Sequence, residues 1–302
     1  MGFSTLQELI ERCESSGQRI SEVMLAWQSE ESGRGADVEF MQMAEYYGVM
    51  KEAVRKGVNE DVRSRSGLTG GDAKRVSEHF KAHEASSGEP AARAMAYALA
   101  VSEVNASMGR IVATPTAGSC GIIPGVFVSA QERFGWSDEK MVEGLFCAGA
   151  IGYVIANNSF ISGAEGGCQA EVGSAIAMAA GAMVELRGGT PEQSVHAAGL
   201  ALKNTLGLIC DPVAGLVEIP CIIRNGLGAV NALAAADMAL AGVKSPIPSD
   251  EVVQVMLDIG TAMPEGHRET AKGGLAMTPT GKRLMESLYG KGRGKRLDRK
   301  GE

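Results

Sequence analysis

Apolar side chains recur at three- and four-residue spacing through most of this 302-residue chain, and the period-two alternation of a half-buried strand is hard to find. The pattern predicts a mainly α fold. Ser4-x-x-Gln7 has the form of a capping box and opens a first helix carrying Leu6, Leu9, Ile10 and Cys13. A second helix is expected over residues 21–29. Asp37 is placed to cap a third, with Met43, Tyr47, Met50 and Val54 on one face. Pro90 suits the first turn of a long alanine-rich helix ending near Gly109. Ser137 caps an apolar helix running towards Ala156, and an Ala/Met-rich helix is expected from about 171 to 186. Thr190-Pro191-Glu192-Gln193 joins an N-cap, a first-turn proline and a glutamine at the third position, a clear helix start. Ser249 caps a further helix through Val252, Val253, Met256, Leu257 and Ile259.

Between these elements lie glycine-rich breaks. Residues 66–72, Ser-Gly-Leu-Thr-Gly-Gly-Asp, can form a nest of amides for an anion, and a plain surface turn fits the composition equally well. Residues 113–125 hold two prolines and three glycines among hydroxyls, so they cannot be a regular helix. If they lead into a helix at Ile122, their amides and hydroxyls face an anionic ligand. His79 and His83 have a metal-compatible spacing but no third ligand beside them, and are read as solvated. The expected layout is an N-terminal helical region (1–62) continuous with a site-bearing catalytic domain (63–289), followed by a disordered basic tail (290–302).

Composition narrows the possibilities. Aromatics are only 5% and glycines number 40, which points to helices packed closely through small residues. A net charge of −7 argues against a nucleic-acid partner. Two apolar stretches, 141–164 and 225–243, are interrupted by Glu143, Asn157, Asn158, Asn231 and Asp237, so buried helices are expected rather than membrane spans. Glu8, Glu11 and Glu14 stand where a secretory signal would be apolar, so a cytoplasmic chain with reduced thiols is expected.

The six cysteines divide by setting. Cys13 and Cys147 lie in apolar helical pattern and read as packing. Cys168, Cys210 and Cys221 stand beside Gly, Asp or Pro, which places them on turns or element ends. Their spacing contains no Cys-x-x-Cys and no ferredoxin run, and by itself leaves a shared metal site and core packing both open.

Three blocks carry a family resemblance: Thr-Pro-Thr-Ala-Gly-Ser-Cys-Gly-Ile-Ile-Pro-Gly (114–125), Ile-Ser-Gly-Ala-Glu-Gly-Gly-Cys-Gln-Ala-Glu-Val-Gly (161–173) and Cys-Asp-Pro-Val-Ala-Gly-Leu-Val-Glu-Ile-Pro-Cys-Ile-Ile-Arg-Asn (210–225). Together they resemble the signature blocks of the iron–sulfur L-serine dehydratases, in particular the α chain of the two-subunit bacterial form. The turn at 66–72 and Glu-Thr-Ala-Lys-Gly-Gly-Leu-Ala (269–276) resemble two further family segments, so the likeness spans about 66–288. It implies a single large helical catalytic domain whose Gly-rich loops converge on a [4Fe–4S] cluster held by Cys168, Cys210 and Cys221. Three thiolates on four irons leave one iron open as a Lewis acid for losing water from L-serine, giving pyruvate and ammonia without pyridoxal phosphate. Such an enzyme serves amino-acid degradation and gluconeogenesis.

Thr116, Ser119 and the amides around Gly118 are then candidates for the substrate carboxylate. Thr69 with Gly70-Gly71 assists, and Asn158 faces the pocket. Cys120 matches a family cysteine and is left without a role. The resemblance puts the general base on a separate β chain, because the Ser-Ser-His segment of that domain is missing here; His196 reads as a helix-surface residue. His267 stands where relatives carry lysine or an aromatic residue. A hetero-oligomer with the β chain is therefore expected, with the isolated chain nearly inactive. No cysteine ends the chain, so self-blocking of the open iron by a terminal thiol is not expected. The competing readings are an iron–sulfur L-cysteine desulfidase, a non-catalytic iron–sulfur protein with four-cysteine ligation, and a metal-free binding subunit.

Overall fold

A computed structural model describes residues 2–290. Thirteen α-helices and no strand occur among the described residues; the extended contacts are two isolated bridges, Arg63 with Gly70 and Cys210 with Arg268. In chain order the helices are α1 (Leu6–Ser16), α2 (Ile20–Ser32), α3 (Ala36–Asn59), α4 (Asp72–Ala82), α5 (Glu89–Ala106), α6 (Ile122–Phe134) and α7 (Asp138–Asn158). Then follow α8 (Gly163–Gly166), α9 (Cys168–Leu186), α10 (Pro191–Lys203), α11 (Cys221–Leu240), α12 (Ser249–Ala262) and α13 (Pro279–Tyr289). The mainly α expectation holds.

The helix starts show which local signals win. Ser137 caps α7 by accepting the Lys140 N–H, and Thr190 with Gln193 forms the full capping box of α10. At α1 the cap is Thr5, one residue later than expected. Thr5 Oγ1 accepts the Glu8 N–H, while the Glu8 carboxylate accepts the Ser4 N–H and hydroxyl. Thr5-x-x-Glu8 forms half of a capping box, with the Glu8 carboxylate reaching Ser4, one residue before the cap, in place of the Thr5 N–H. At α3, Gly35 is the cap and Asp37 sits inside the first turn, where its charge still favours the helix N-terminus. Ser249 is already helical; its hydroxyl donates to the Val195 carbonyl at 2.7 Å instead of capping α12.

α9 organises the rest. Every residue from Cys168 to Val184 is buried, which a helix tolerates only when neighbours surround it. α6, α7, α10 and α11 do so, and α5 packs outside against α6 and α11. α2 covers α7 and α3 covers α5, so one apolar core runs from Phe3 to Met256, across the boundary drawn at residue 62. The helices approach closely because small residues meet. A Cβ added at Gly57 on α3 would lie 2.6 Å from the Ala100 backbone on α5. His79 and His83 are exposed with rings 4.9 Å apart, as read from the sequence. Among the described residues no helix is long and apolar enough to cross a membrane. The tail beyond Gly290 lies outside the described residues.

Gly57→Ala tests this close packing. Helix propensity alone favours alanine by up to about 1 kcal/mol. The collision with Ala100 is expected to reverse that and cost about 1–3 kcal/mol in urea unfolding. An unchanged or raised midpoint would show that α3 and α5 are not in contact here.

Candidate metal centre

Cys168 and Cys221 are each the first residue of a long helix, α9 and α11, which pack along one another. Gly167, with φ +75°, turns the chain from α8 into α9. A side chain there would be strained by that φ and would run into the Met263 sulfur. Unpaired N–H groups and the positive end of the dipole make a helix N-terminus a favourable place for a thiolate. Cys210 arrives on an extended segment instead. Its N–H donates to the His267 carbonyl and its carbonyl accepts the Glu269 N–H, both at 2.8 Å.

Two of the three thiols meet directly, with Glu171 beside them. One ligand atom each of Cys168, Cys210 and Glu171 lie within 4.8 Å of one another. Cys221 is in electrostatic reach of Cys168, Cys210 and Glu171. All six cysteines are unpaired and buried. Cys13, Cys120 and Cys147 pack in the apolar core, as read for Cys13 and Cys147. Burial pushes the Cys120 thiol up to about 12.

Arg224, one turn after Cys221, donates to the Cys168 sulfur at 3.3 Å, to the Ile209 carbonyl at 2.9 Å and to Asp211 at 3.0 Å. Asp211 also accepts the Leu275 N–H at 2.8 Å, and a Cβ at Gly274 (φ +53°) would collide with that carboxylate. This buried ion pair, with side chains 17% and 3% exposed, ties α11, the Cys210 segment and residues 274–275 together.

The glycine-rich loops close on the same place. The Thr116 hydroxyl donates to Glu171, and Gly118 lies so close to that carboxylate that no side chain would fit. Asn225 pins this loop to α11: it donates to the Gly118 and Cys221 carbonyls at 2.7 and 2.9 Å and accepts the Gly121 N–H at 2.9 Å. Gly163 at the start of α8 fits against Cys210 and Glu171. Ser66 and Thr69 both donate to Glu218 at 2.8 Å, and the Glu218 carbonyl accepts the Ile222 N–H in the first turn of α11.

The expected substrate residues therefore separate. Thr116 lies beside the thiols through Glu171, with Ser119 3.3 Å away and its hydroxyl on the Thr114 carbonyl. Thr69 is joined to the segment between Cys210 and Cys221. Asn158 sits exposed at the end of α7, where its amide donates to the Ser4 and Val154 carbonyls. Glu171, Asp211, Glu218, Arg224 and Asn225 were not singled out from the sequence. The local signals were Glu171 three residues after Cys168, and Arg-Asn three and four residues after Cys221, spacings that share a helix face.

Charge in the site is one-sided. A hydrogen bond with Cys168 and burial push the Cys210 thiol far up, and burial followed by Cys168 and Glu171 does the same for Cys221. Burial raises Glu171 against the opposing hydrogen bond from Thr116. Arg224 is the one cation bonded to this group among the described residues, so burial without further compensation disfavours the charged forms of Cys210, Cys221 and Glu171. A bound cationic metal centre reverses that preference, and soft thiolates are the donors an iron–sulfur cluster uses. The donor set fits such a group.

Comparison with known proteins identifies the family. The model of the serine dehydratase alpha chain family matches residues 15–276. This chain belongs to that family. It is 51% identical over 294 residues, 97% of its length and 98% of the relative's, to a probable L-serine dehydratase alpha chain of Bacillus subtilis (strain 168). An L-serine dehydratase alpha chain of Peptoniphilus asaccharolyticus is 42% identical over 96% of this chain and 99% of its own. An L-serine dehydratase of Streptomyces coelicolor is 42% identical over 91% of this chain, which covers 61% of that longer protein.

Arg224→Met leaves the Asp211 carboxylate buried without its cation and is expected to cost about 3–5 kcal/mol in denaturant unfolding at neutral pH. Combining it with Asp211→Leu should recover part of that loss. Destabilisation below about 0.5 kcal/mol for the single variant would mean the pair does not hold the loops.

Proposed function

We propose that this chain is the catalytic α subunit of an L-serine dehydratase, converting L-serine to pyruvate and ammonia with a [4Fe–4S] cluster on Cys168, Cys210 and Cys221. The observation that supports the reading is the buried group of Cys168, Cys210 and Glu171, drawn from separate segments, with the buried Cys221 in electrostatic reach of it. When bound, the cluster supplies one iron free of cysteine, a Lewis acid for the poor leaving group on C3 of serine.

The chain's own residues position the substrate. The loop from Thr116 to Gly121, held on α11 by Asn225, offers backbone amides to the carboxylate, and Thr116 borders it. Ser119 and Thr69 act by shape, since their hydroxyls serve Thr114 and Glu218 and keep the two loops at the site. Asn158 is left out of the pocket because its amide is engaged by the N-terminal segment. The buried setting and the packed α9–α11 pair keep bulk water from the reacting atoms.

The proton on Cα needs a base. Among the described residues no histidine belongs to the group around Cys168. His196 accepts the Ser245 N–H, and His267 sits in the turn whose backbone holds Cys210. We assign the base to a β chain. Full-length relatives are named alpha chains, and the Streptomyces coelicolor relative carries additional length in one polypeptide. Six unpaired cysteines fit a reducing compartment, the cytoplasm.

The test is anaerobic turnover of L-serine by the chain alone and by the chain co-produced with a β partner. The pair is expected to release pyruvate, and the lone chain at least about 100-fold less, the usual contribution of a positioned base. Equal turnover by the lone chain would refute the divided site. A pair that consumes L-cysteine and not L-serine would refute the substrate.

A further inference from the structure

Glu171 is a buried carboxylate without a cation. Its hydrogen-bond donors are neutral, the Thr116 hydroxyl and the neighbouring Gly118 N–H. Around it stand the Cys168 and Cys210 sulfurs, with Cys221 and Glu269 in electrostatic reach. The nearby cation, Arg224, is committed to Cys168, Ile209 and Asp211. A charged carboxylate buried among acids is costly, so a cation from outside the protein would favour the ionised form of Glu171. A polar loop does surround it: Gly118 and Gly163 both leave out a side chain where Glu171 lies.

We propose that Glu171 binds the ammonium group of the substrate and so restricts the site to 2-amino acids; this rests on the dehydratase reading above. L-Serine carries a carboxylate, an ammonium and a hydroxyl on adjacent carbons, so all three must be met within one small pocket. The thiols would hold a metal suited to the hydroxyl, the Thr116–Gly121 loop would border the carboxylate, and Glu171 lies between those two features. An ammonium there gives Glu171 the cation that the protein does not provide. The position of Glu171, three residues after Cys168 on α9, fixes it relative to the metal site with little freedom. The competing role for a carboxylate this close to two sulfurs is as a ligand of the metal itself.

The experiment compares wild type, Glu171→Gln and Glu171→Asp as the anaerobic, cluster-loaded complex with the β partner. Three quantities are read: iron per chain, KM for L-serine, and Ki for 3-hydroxypropanoate, which keeps the carboxylate and hydroxyl and lacks the ammonium. Glu171→Gln is expected to keep the wild-type iron content and to raise KM about 10- to 100-fold, the range for losing a charged hydrogen bond. Its Ki for 3-hydroxypropanoate should change less than about threefold, since no ammonium is there to lose its partner. Glu171→Asp, which keeps the charge but draws it back, should fall between the two, and it decides the question if Glu171→Gln does not accumulate.

Iron loss in both variants would make Glu171 a metal ligand and overturn the proposal. Equal weakening of serine and 3-hydroxypropanoate would reduce it to a structural role and overturn it as well. Wild-type complex that turns over no L-serine would overturn the dehydratase reading itself, a result distinct from either.

Discussion

Two long helices that pack along one another each begin with a buried cysteine, and the two thiols lie in electrostatic reach. Everything else near the site serves that geometry. The aligned peptide dipoles of α9 and α11 direct positive potential at the space where Cys168 and Cys221 lie, which partly offsets the cost of burying a metal's anionic ligands there. Holding two dipole ends together requires the helices to run closely side by side. The alanine-rich sequence of α9, with Gly173 and Gly181 and buried along almost its whole length, permits that. Scarcity of aromatics is thus a requirement of the architecture, because bulkier side chains would push the helix axes apart.

The third thiol and the loops are held by polar side chains buried behind the sulfurs. Asp211 with Arg224 fixes the Cys210 segment, Asn225 fixes the loop before α6, and Glu218 fixes the turn before α4. Each is a buried polar group whose bonds are made, so each specifies one arrangement of backbone that glycine-rich sequence alone would leave free. Flexible loops thereby become a rigid wall. The chemistry sits on loops and helix ends, while precision comes from side chains one layer deeper.

Much of the scaffold was legible in the sequence because it depends on neighbours in the chain. Ser137 and Thr190 cap where their local motifs say, and Leu6, Leu9, Tyr47, Met50 and Val54 are buried as their spacing requires. Where two local signals compete, the sequence alone does not rank them: Thr5 caps α1 in place of Ser4, and a buried carbonyl on α10 claims the Ser249 hydroxyl that would cap α12. The cysteines at the site were marked by their Gly, Asp and Pro neighbours, yet their meeting was not, and family resemblance supplied it. The supporting residues were invisible for a plain reason. Thr69 and Glu218 are 149 positions apart, and Gly121 and Asn225 are 104 apart, separations at which periodicity carries no information. Asn158 shows the reverse case, a residue expected at the pocket whose amide instead bonds the Ser4 and Val154 carbonyls.

The most direct measurement is iron and acid-labile sulfide per chain after anaerobic purification, for wild type and for each cysteine changed singly to serine. About four of each is predicted for wild type, with that content retained in Cys13→Ser, Cys120→Ser and Cys147→Ser and lost in Cys168→Ser, Cys210→Ser and Cys221→Ser. A colourless wild-type protein, or a full complement in any of the last three variants, would contradict a cluster gripped by these three thiols.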